Sequence, residues 1–291
     1  MNTSEILKKV RKIELKTRGL TRNVFAGEYH SAFKGRGMAF SEVREYQYGD
    51  DVRNIDWNVT ARFHHPYIKI FEEERELTVM LLVDVSGSWN FGTQQQLKQE
   101  LITELSAVLS FSAIQNNDKI GVIMFSDKIE KYIPPKKGRK HILRIIRELI
   151  DFTPESPGTD LSEGLRFLTN VAKKRATVFL VSDFIDRSYE KALRVVNYRH
   201  DLVGLRILDK GEQKLPNLGM VQVRDAETGK VAWVDTSSPK VRRAFAQNFR
   251  EADKAFRETQ TKLGFDTADL YTDEDYVRPL VNMFKRRNLR S

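Results

Sequence analysis

The feature that most constrains the fold is an alternation of short apolar runs and amphipathic segments. Residues 77–83 form an apolar run with β-branched content, which predicts a strand covered on both faces. Apolar residues then recur three or four positions apart over 97–113, which predicts a helix with one buried face. Helices separate further predicted strands, which lie at 119–125, 177–181 and 202–208. This order predicts an α/β fold with a mostly parallel sheet and helices on both faces.

The first 75 residues have a different character from those that follow. A basic helix is predicted at 4–18, and two segments of strand character follow later, before residue 75. We therefore expect residues 1–75 to form a small N-terminal module with β character. Residues 76–291 are expected to form the α/β domain, including its C-terminal helices.

Two additions to the parallel pattern are predicted inside the α/β domain. A short strand at 128–133 pairs with its predecessor and ends at Pro134-Pro135. A β-hairpin is expected at about 211–237, because two β-type segments flank the turn-rich connector 225–229. A long charged helix then begins at Pro239. The hairpin is thus an addition to the domain rather than a domain of its own.

The composition and the apolar segments exclude several classes of chemistry and are typical of a cytoplasmic protein. The chain has no cysteine, which removes disulfides, thiolate zinc sites and cysteine nucleophiles. The first residues are basic and have no apolar core, so a secretory signal is not expected. The apolar run at 77–83 is too short to cross a bilayer. We therefore expect a cytoplasmic protein without a membrane span.

An excess of positive charge raises the question of an acidic partner. The net charge is +9, and residues 131–147 hold seven Lys and Arg residues with no acid among them. The sequence has neither a helix-turn-helix nor an RNA-binding signature. A solvated basic face is the plainer interpretation, and docking to an acidic protein is the next. Nucleic-acid binding stays as an alternative, which predicts an affinity that falls steeply with salt.

Five oxygen-bearing side chains stand where strands end and helices begin: Asp84, Ser86, Ser88, Thr159 and Asp183. The carboxyl ends of parallel strands share one edge of a sheet, where ligands of such folds bind. Carboxylate and hydroxyl oxygens suit a hard cation, with Mg²⁺ first and Mn²⁺ or Ca²⁺ as alternatives. Two buried carboxylates without a cation would repel each other. A lone Asp84 would more simply cap its loop, but the whole pattern favours a metal site.

The same residues carry a resemblance to known proteins. Asp84-x-Ser86-x-Ser88, with Thr159 and Asp183, resembles the metal-ion-dependent adhesion site (MIDAS) of von Willebrand factor A domains. Nearly the whole chain resembles the bacterial domain-of-unknown-function family fifty-eight. The segments that carry this second resemblance are Gly35-x-Gly37-Met-Ala-Phe40, Val43-Arg-Glu-Tyr46, Gly49-Asp-Asp-Val-Arg53-Asn-Ile-Asp-Trp57, Ala61-Arg62, Gly158-Thr159-Asp160-Leu161 and Val181-Ser-Asp183-Phe184.

The resemblance implies a fold, a role and a partner. The fold would be a von Willebrand factor A-like, Rossmann-like domain behind a small N-terminal module. The implied partner is a MoxR-type AAA+ ATPase or a client protein, which would offer an acidic residue to the bound metal. The protein would then be a non-enzymatic adaptor or co-chaperone. Trp89 departs from the family pattern, since Met or another unbranched apolar residue is usual there, and it is expected to narrow the rim of the site.

Enzyme alternatives lack residues that they require. Ser86 is not in a nucleophile elbow, because Asp84 stands where Gly-x-Ser-x-Gly needs its first glycine. The sequence has no Walker A motif, so ATPase activity must come from another chain. A metal-dependent phosphoesterase stays as an alternative, because a bound cation could activate water. No general base for that reaction is evident in the sequence.

Overall fold

The computed structural model describes residues 3–20, 29, 38–73, 77–93, 96–186 and 188–289. Gly35-Arg36-Gly37, part of one of the segments that carry the family resemblance, lies outside the described residues. The described chain divides into two compact units, one of residues 34–77 and one of the remaining residues.

The α-helices of the described residues are α1 Thr3–Leu20, α2 Trp57–Phe63, α3 Lys98–Gln115, α4 Arg139–Ile150, α5 Leu161–Val171, α6 Glu190–Arg199, α7 Lys210–Gln213, α8 Pro239–Leu263 and α9 Val277–Asn288. The strands are β1 Met38–Glu45, β2 Tyr67–Glu73, β3 Thr78–Asp84, β4 Lys119–Phe125, β5 Ile129–Lys136, β6 Thr177–Ser182, β7 Asp201–Leu208, β8 Met220–Arg224, β9 Val231–Asp235 and β10 Asp266–Tyr271.

The smaller unit, residues 34–77, is built on the antiparallel pair β1–β2. Helix α2 lies between the two strands in sequence, and the Asp56 carboxylate caps it by accepting hydrogen bonds from two backbone N–H groups. Arg44 binds the Asp50 carboxylate with two guanidinium nitrogens, at 2.9 and 2.8 Å.

The larger unit contains a six-stranded sheet in the order β10-β7-β6-β3-β4-β5. Its first five strands run parallel, and β5 pairs antiparallel with β4 at the edge. Strand β3 is central, and its residues after Thr78 are buried throughout, as its apolar run predicts. The prediction of an α/β fold with a mostly parallel sheet and helices on both faces is confirmed.

The main core lies between the sheet and helices α5, α6 and α8. It includes Leu82, Phe125, Leu165, Leu193 and Phe256. Side chains alternate along a strand, so the neighbours of Leu82 face the opposite side of the sheet. That side is covered by α3, which packs against α1 and α4.

Helix α1 belongs to the larger unit. It packs on α3 and α4, buries Val10 and joins α3 through an ion pair of 2.6 Å between Lys16 and Glu104. The predicted module of residues 1–75 therefore differs in extent from the compact unit, which begins at residue 34. The physical reason is that α1 finds its partner far along the sequence: the ion-paired Lys16 and Glu104 are 88 positions apart.

Strand β5 continues through Pro134 and Pro135 to Lys136, where the sequence analysis placed a break. An edge strand tolerates proline because one row of its N–H groups has no partner strand. The predicted hairpin is present as the antiparallel pair β8–β9. Within the described residues, no helix is long and apolar enough to cross a membrane.

Candidate cation site at the carboxyl ends of β3 and β6

The site is placed by the pairing of two central strands. Strands β3 and β6 run side by side and parallel, with Val83 opposite Val181. Asp84 and Asp183 follow these positions, so both carboxylates emerge at the same edge, where the sheet order changes direction. They are 5% and 8% exposed. The structure thus brings together the two predicted carboxylates.

Asp84 is held by hydroxyl and amide donors. One of its carboxylate oxygens accepts the backbone N–H of Ser86 at 3.0 Å. The other accepts the hydroxyl of Ser182 at 2.7 Å. Burial and the negative charge of Asp183 raise the pKa of Asp84 to about 6, although the hydrogen bonds from Ser182 and Ser86 oppose the rise. Asp84 therefore carries a charge that its surroundings only partly compensate.

The pKa of Asp183 is shifted in the opposite direction from that of Asp84. Burial acts to raise its pKa, but the Lys98 ammonium and hydrogen bonds from Lys98 and Ser88 outweigh burial, so the pKa of Asp183 is lowered. The Lys98 nitrogen lies 3.1 Å from a carboxylate oxygen of Asp183. The backbone of Asp183 is also held, because buried Arg206 donates to its carbonyl oxygen at 3.3 Å. Asp183 is thus fixed in its ionised form.

Lys98 is a component that the sequence analysis missed. Its side chain is 2% exposed and lies between Asp183 and Glu212, whose carboxylate oxygen is 2.5 Å from the ammonium nitrogen. Burial acts to lower the pKa of Lys98, but the two carboxylates outweigh it and raise the pKa. One sequence signal could have predicted that Lys98 is buried: the lysine lies one turn before Leu101 and Ile102, on the buried side of an apolar helix. Glu212 offered none.

Thr159 stands at the rim of the site rather than among its buried groups. Its hydroxyl donates to a carboxylate oxygen of Glu227 at 2.8 Å. The loop that carries Thr159 touches the loop after β3, because the Gly87 N–H donates to the Pro157 carbonyl oxygen at 2.7 Å. Four of the five predicted residues therefore lie together, because Ser86 bonds to Asp84 and Ser88 bonds to Asp183. Thr159 lies on the adjoining loop. Glu227, in the hairpin tip, was not predicted.

Two neighbouring residues have structural roles. Asp160 caps α5 by accepting the Glu163 N–H, as expected for an acidic residue at a helix start. Trp89 does not narrow the rim: its side chain is only 1% exposed. It fills the interior beneath the loop instead, because the turn at Gly87–Asn90 directs it inward.

The donor set fits a divalent cation on two observations. Asp84, Asp183 and Glu212 with Lys98 leave a formal charge of −2 in a buried cluster, and the raised pKa of Asp84 shows where compensation is lacking. Hydroxyls of Ser86 and Ser88 already bond to the two aspartates. Among the described residues, no group of three or more His, Cys, Asp or Glu side chains is arranged to hold a metal. A cation here would therefore depend on serine and threonine oxygens as well as carboxylates.

The basic stretch at 131–147 is partly compensated in the structure. Lys131 pairs with Glu148, which lies just beyond the stretch in sequence. Arg139 pairs with Glu14 of α1 at 2.5 Å. These pairs reduce the excess charge that the linear sequence presents.

The fold is that of an α/β protein with carboxylate and hydroxyl groups gathered at the ends of two neighbouring parallel strands. The family model described as "Protein of unknown function DUF58" matches residues 42–255. The chain belongs to this family. An uncharacterized protein of Mycobacterium tuberculosis is 29% identical over 282 residues, which cover 96% of this chain and 88% of the relative. An uncharacterized protein of Mycobacterium avium is 27% identical over 53% of this chain and 93% of its own length.

Three solved structures share parts of the architecture. An aerotolerance-related membrane protein from Bacteroides fragilis aligns with a TM-score of 0.45 and 15% identity, over 74% of this chain and 99% of that one. The SpRpn10 VWA domain aligns with a TM-score of 0.40 and 8% identity, over 71% and 94%. Proximal thread matrix protein 1 from the mussel byssus, with a zinc-occupied MIDAS motif, aligns with a TM-score of 0.37 and 18% identity, over 45% and 38%. Because these scores are below 0.5, no functional conclusion rests on them.

Proposed function

We propose that this chain is a non-enzymatic protein-interaction module whose recognition element is a divalent cation at the carboxyl ends of β3 and β6. The observation that carries the proposal is the buried pair Asp84 and Asp183. These carboxylates share one sheet edge, and the Lys98 ammonium bonds to Asp183, while Asp84 has hydroxyl and amide partners. A cation beside Asp84 would offset the burial and the repulsion from Asp183 that together raise the pKa of this side chain.

The residues of the proposed site fall into those that would bind the ion and those that would position its ligands. Asp84, Ser86, Ser88, Thr159 and Asp183 would hold the ion, directly or through water. Lys98 would keep Asp183 ionised and oriented, and Glu212 in turn holds the ammonium group of Lys98. Mg²⁺ is the first candidate, because it is hard and keeps several waters when protein supplies few carboxylates. When bound, the ion offers a coordination position to an outside oxygen.

The proposed partner supplies that oxygen from an acidic side chain. The resemblance supports a MoxR-type AAA+ ATPase, or a client that the ATPase acts on, with this chain as adaptor or co-chaperone. The sequence has no Walker A motif of its own, so ATP-driven work would belong to the partner. Recognition would then depend on the metal and on a carboxylate from each protein.

Calorimetric titration of Mg²⁺ and Mn²⁺ into chelator-treated full-length protein tests the proposal. We expect saturable binding by the wild type and loss of binding in Asp84→Ala. The matched control is Asp151→Ala, which removes an exposed aspartate at the end of α4 and should bind like the wild type. At 100 times the dissociation constant, the ion should stabilise the protein by about 2.7 kcal/mol. Absence of binding in the wild type, or unchanged binding in Asp84→Ala, would overturn the cation site.

A further inference from the structure

We propose that Glu227, in the tip of the β8–β9 hairpin, is an internal carboxylate that occupies the open side of the cation site until an acidic partner displaces it. The inference rests on the proposed function and adds a competitor to it. In the proposed function, a partner brings a carboxylate to the open side of the site. That side already faces a carboxylate of the same chain, Glu227. Binding would then be an exchange of one acidic group for another.

Two contacts place the hairpin tip on the site. The Glu227 carboxylate accepts the hydroxyl of Thr159 at 2.8 Å, so it shares a candidate ligand of the cation. The backbone of Ala226 lies against the loop after β3: a Cβ atom at Gly87 would come within 2.0 Å of the Ala226 carbonyl oxygen. Glycine at position 87 therefore permits an approach that every other residue would prevent.

The tip itself is a fixed turn. The Asp225 carboxylate accepts both the N–H and the hydroxyl of Thr228, at 2.7 and 2.6 Å. The Gly229 N–H donates to the Asp225 carbonyl oxygen at 3.0 Å, and its φ of 67° is one that glycine adopts without strain. Because these bonds define the turn, Glu227 is presented at a set position rather than on an unconstrained loop.

The rest of the hairpin is lightly anchored, which allows the tip to be displaced. Strands β8 and β9 pair only with each other among the described strands. Met220, Val231 and Trp233 are 61%, 54% and 68% exposed, so the ribbon buries little apolar surface. A two-stranded ribbon of this kind is weakly stable by itself.

Competition by a small dicarboxylate measures the exchange. The probe is glutarate, added to Mn²⁺-loaded full-length protein, and water-proton relaxation reports how many waters stay on the ion. We expect Glu227→Gln to bind Mn²⁺ and to bind glutarate at least about fivefold more tightly than the wild type. The control is Glu251→Gln, which makes the same change on the exposed face of α8 and should match the wild type.

A second readout needs no metal. If Glu227 fastens the tip by accepting the Thr159 hydroxyl, the amides of Thr228 and Gly229 should exchange with solvent faster in Glu227→Ala, which removes the acceptor, than in the wild type or in Glu251→Ala. Mn²⁺ binding with equal glutarate affinities would overturn this inference and leave the cation site standing. Absence of Mn²⁺ binding in every variant would overturn the proposed function and, with it, this exchange.

Discussion

The ammonium nitrogen of Lys98 lies 3.1 Å from a carboxylate oxygen of Asp183, and both side chains are more than nine-tenths buried. This contact makes the two strand-end aspartates unequal. The pKa of Asp183 is lowered, chiefly because the Lys98 charge outweighs burial, while the pKa of Asp84 is raised by burial and by Asp183 itself. A divalent ion would thus compensate mainly Asp84.

Replacing Lys98 by methionine should destabilise the protein strongly. The substitution leaves Asp183 and Glu212 buried without their cation, and loss of one partner of a buried ion pair costs about 3–5 kcal/mol. Urea unfolding of the metal-free protein measures the loss. The control is Lys128→Met, which breaks an exposed ion pair with Glu155 and should change stability little. Equal losses in the two variants would contradict a structural role for the buried ammonium.

Neutralising the two strand-end aspartates should have opposite effects. In chelator at about pH 8, Asp84→Asn should raise the free energy of unfolding, because it removes a buried charge beside Asp183. A pKa moved from 3.8 to about 6 corresponds to a gain of up to about 3 kcal/mol. Asp183→Asn should lower the free energy of unfolding, because Lys98 then loses a partner.

The direction of the Asp84 pKa shift also fixes how the effect of Asp84→Asn on the free energy of unfolding depends on pH. Because the folded-state pKa of Asp84 is raised, the folded protein takes up a proton that the unfolded chain lacks between the two pKa values. The advantage of Asp84→Asn over the wild type should therefore grow as pH rises from about 4 to about 6 and level off above about 6. Urea unfolding at several pH values measures this difference. An advantage that shrank with rising pH would show that repulsion at Asp84 is absent.

Adding a methyl group at Gly87 should push the hairpin tip away from the site. In Gly87→Ala, the new Cβ would lie 2.0 Å from the Ala226 carbonyl oxygen, so backbone must move. Hydrogen exchange at the amides of residues 225–229 should accelerate. Gly138→Ala is the control: its φ of 101° strains the backbone, but nothing lies within 4 Å of the added carbon. It should lower stability without changing exchange in the tip.

His200 should make the protein less stable in mild acid. Burial, with repulsion from Arg199 and Arg175, lowers the pKa of His200, and its Nδ1 accepts the Ala176 N–H at 3.3 Å. A lowered pKa means that stability present above about pH 6.5 is lost as pH falls, by up to about 1.4 kcal/mol per pH unit. His200→Asn keeps an acceptor without this titration. The wild type should lose more stability than the variant between about pH 7.5 and 5.5, as urea unfolding would show.

The order of strands and helices was predictable because periodicity is a local property of the chain. The continuous apolar run of β3 and the three- or four-residue spacing of apolar positions in α3 depend on residues a few positions apart. The same holds for Asp84 and Asp183, which are covalently next to the strands that bring them to one edge. The end of β5 could not be predicted from Pro134 and Pro135. A proline costs a strand a ladder hydrogen bond only where a partner strand lies on that side, and β5 lies at the edge of the sheet.

Local sequence patterns were therefore enough to predict the α/β fold, the strand-end carboxylates and the loop that carries Ser86 and Ser88. Which charged and polar groups meet those carboxylates depends on the tertiary fold. Lys98 is 85 positions from Asp183, Ser182 is 98 from Asp84, and Glu227 is 68 from Thr159. Contacts over such separations depend on the sheet order and on how each connection packs, and neither is recorded in local periodicity. The candidate ligands could be found by their pattern, whereas the groups that set their charge could not.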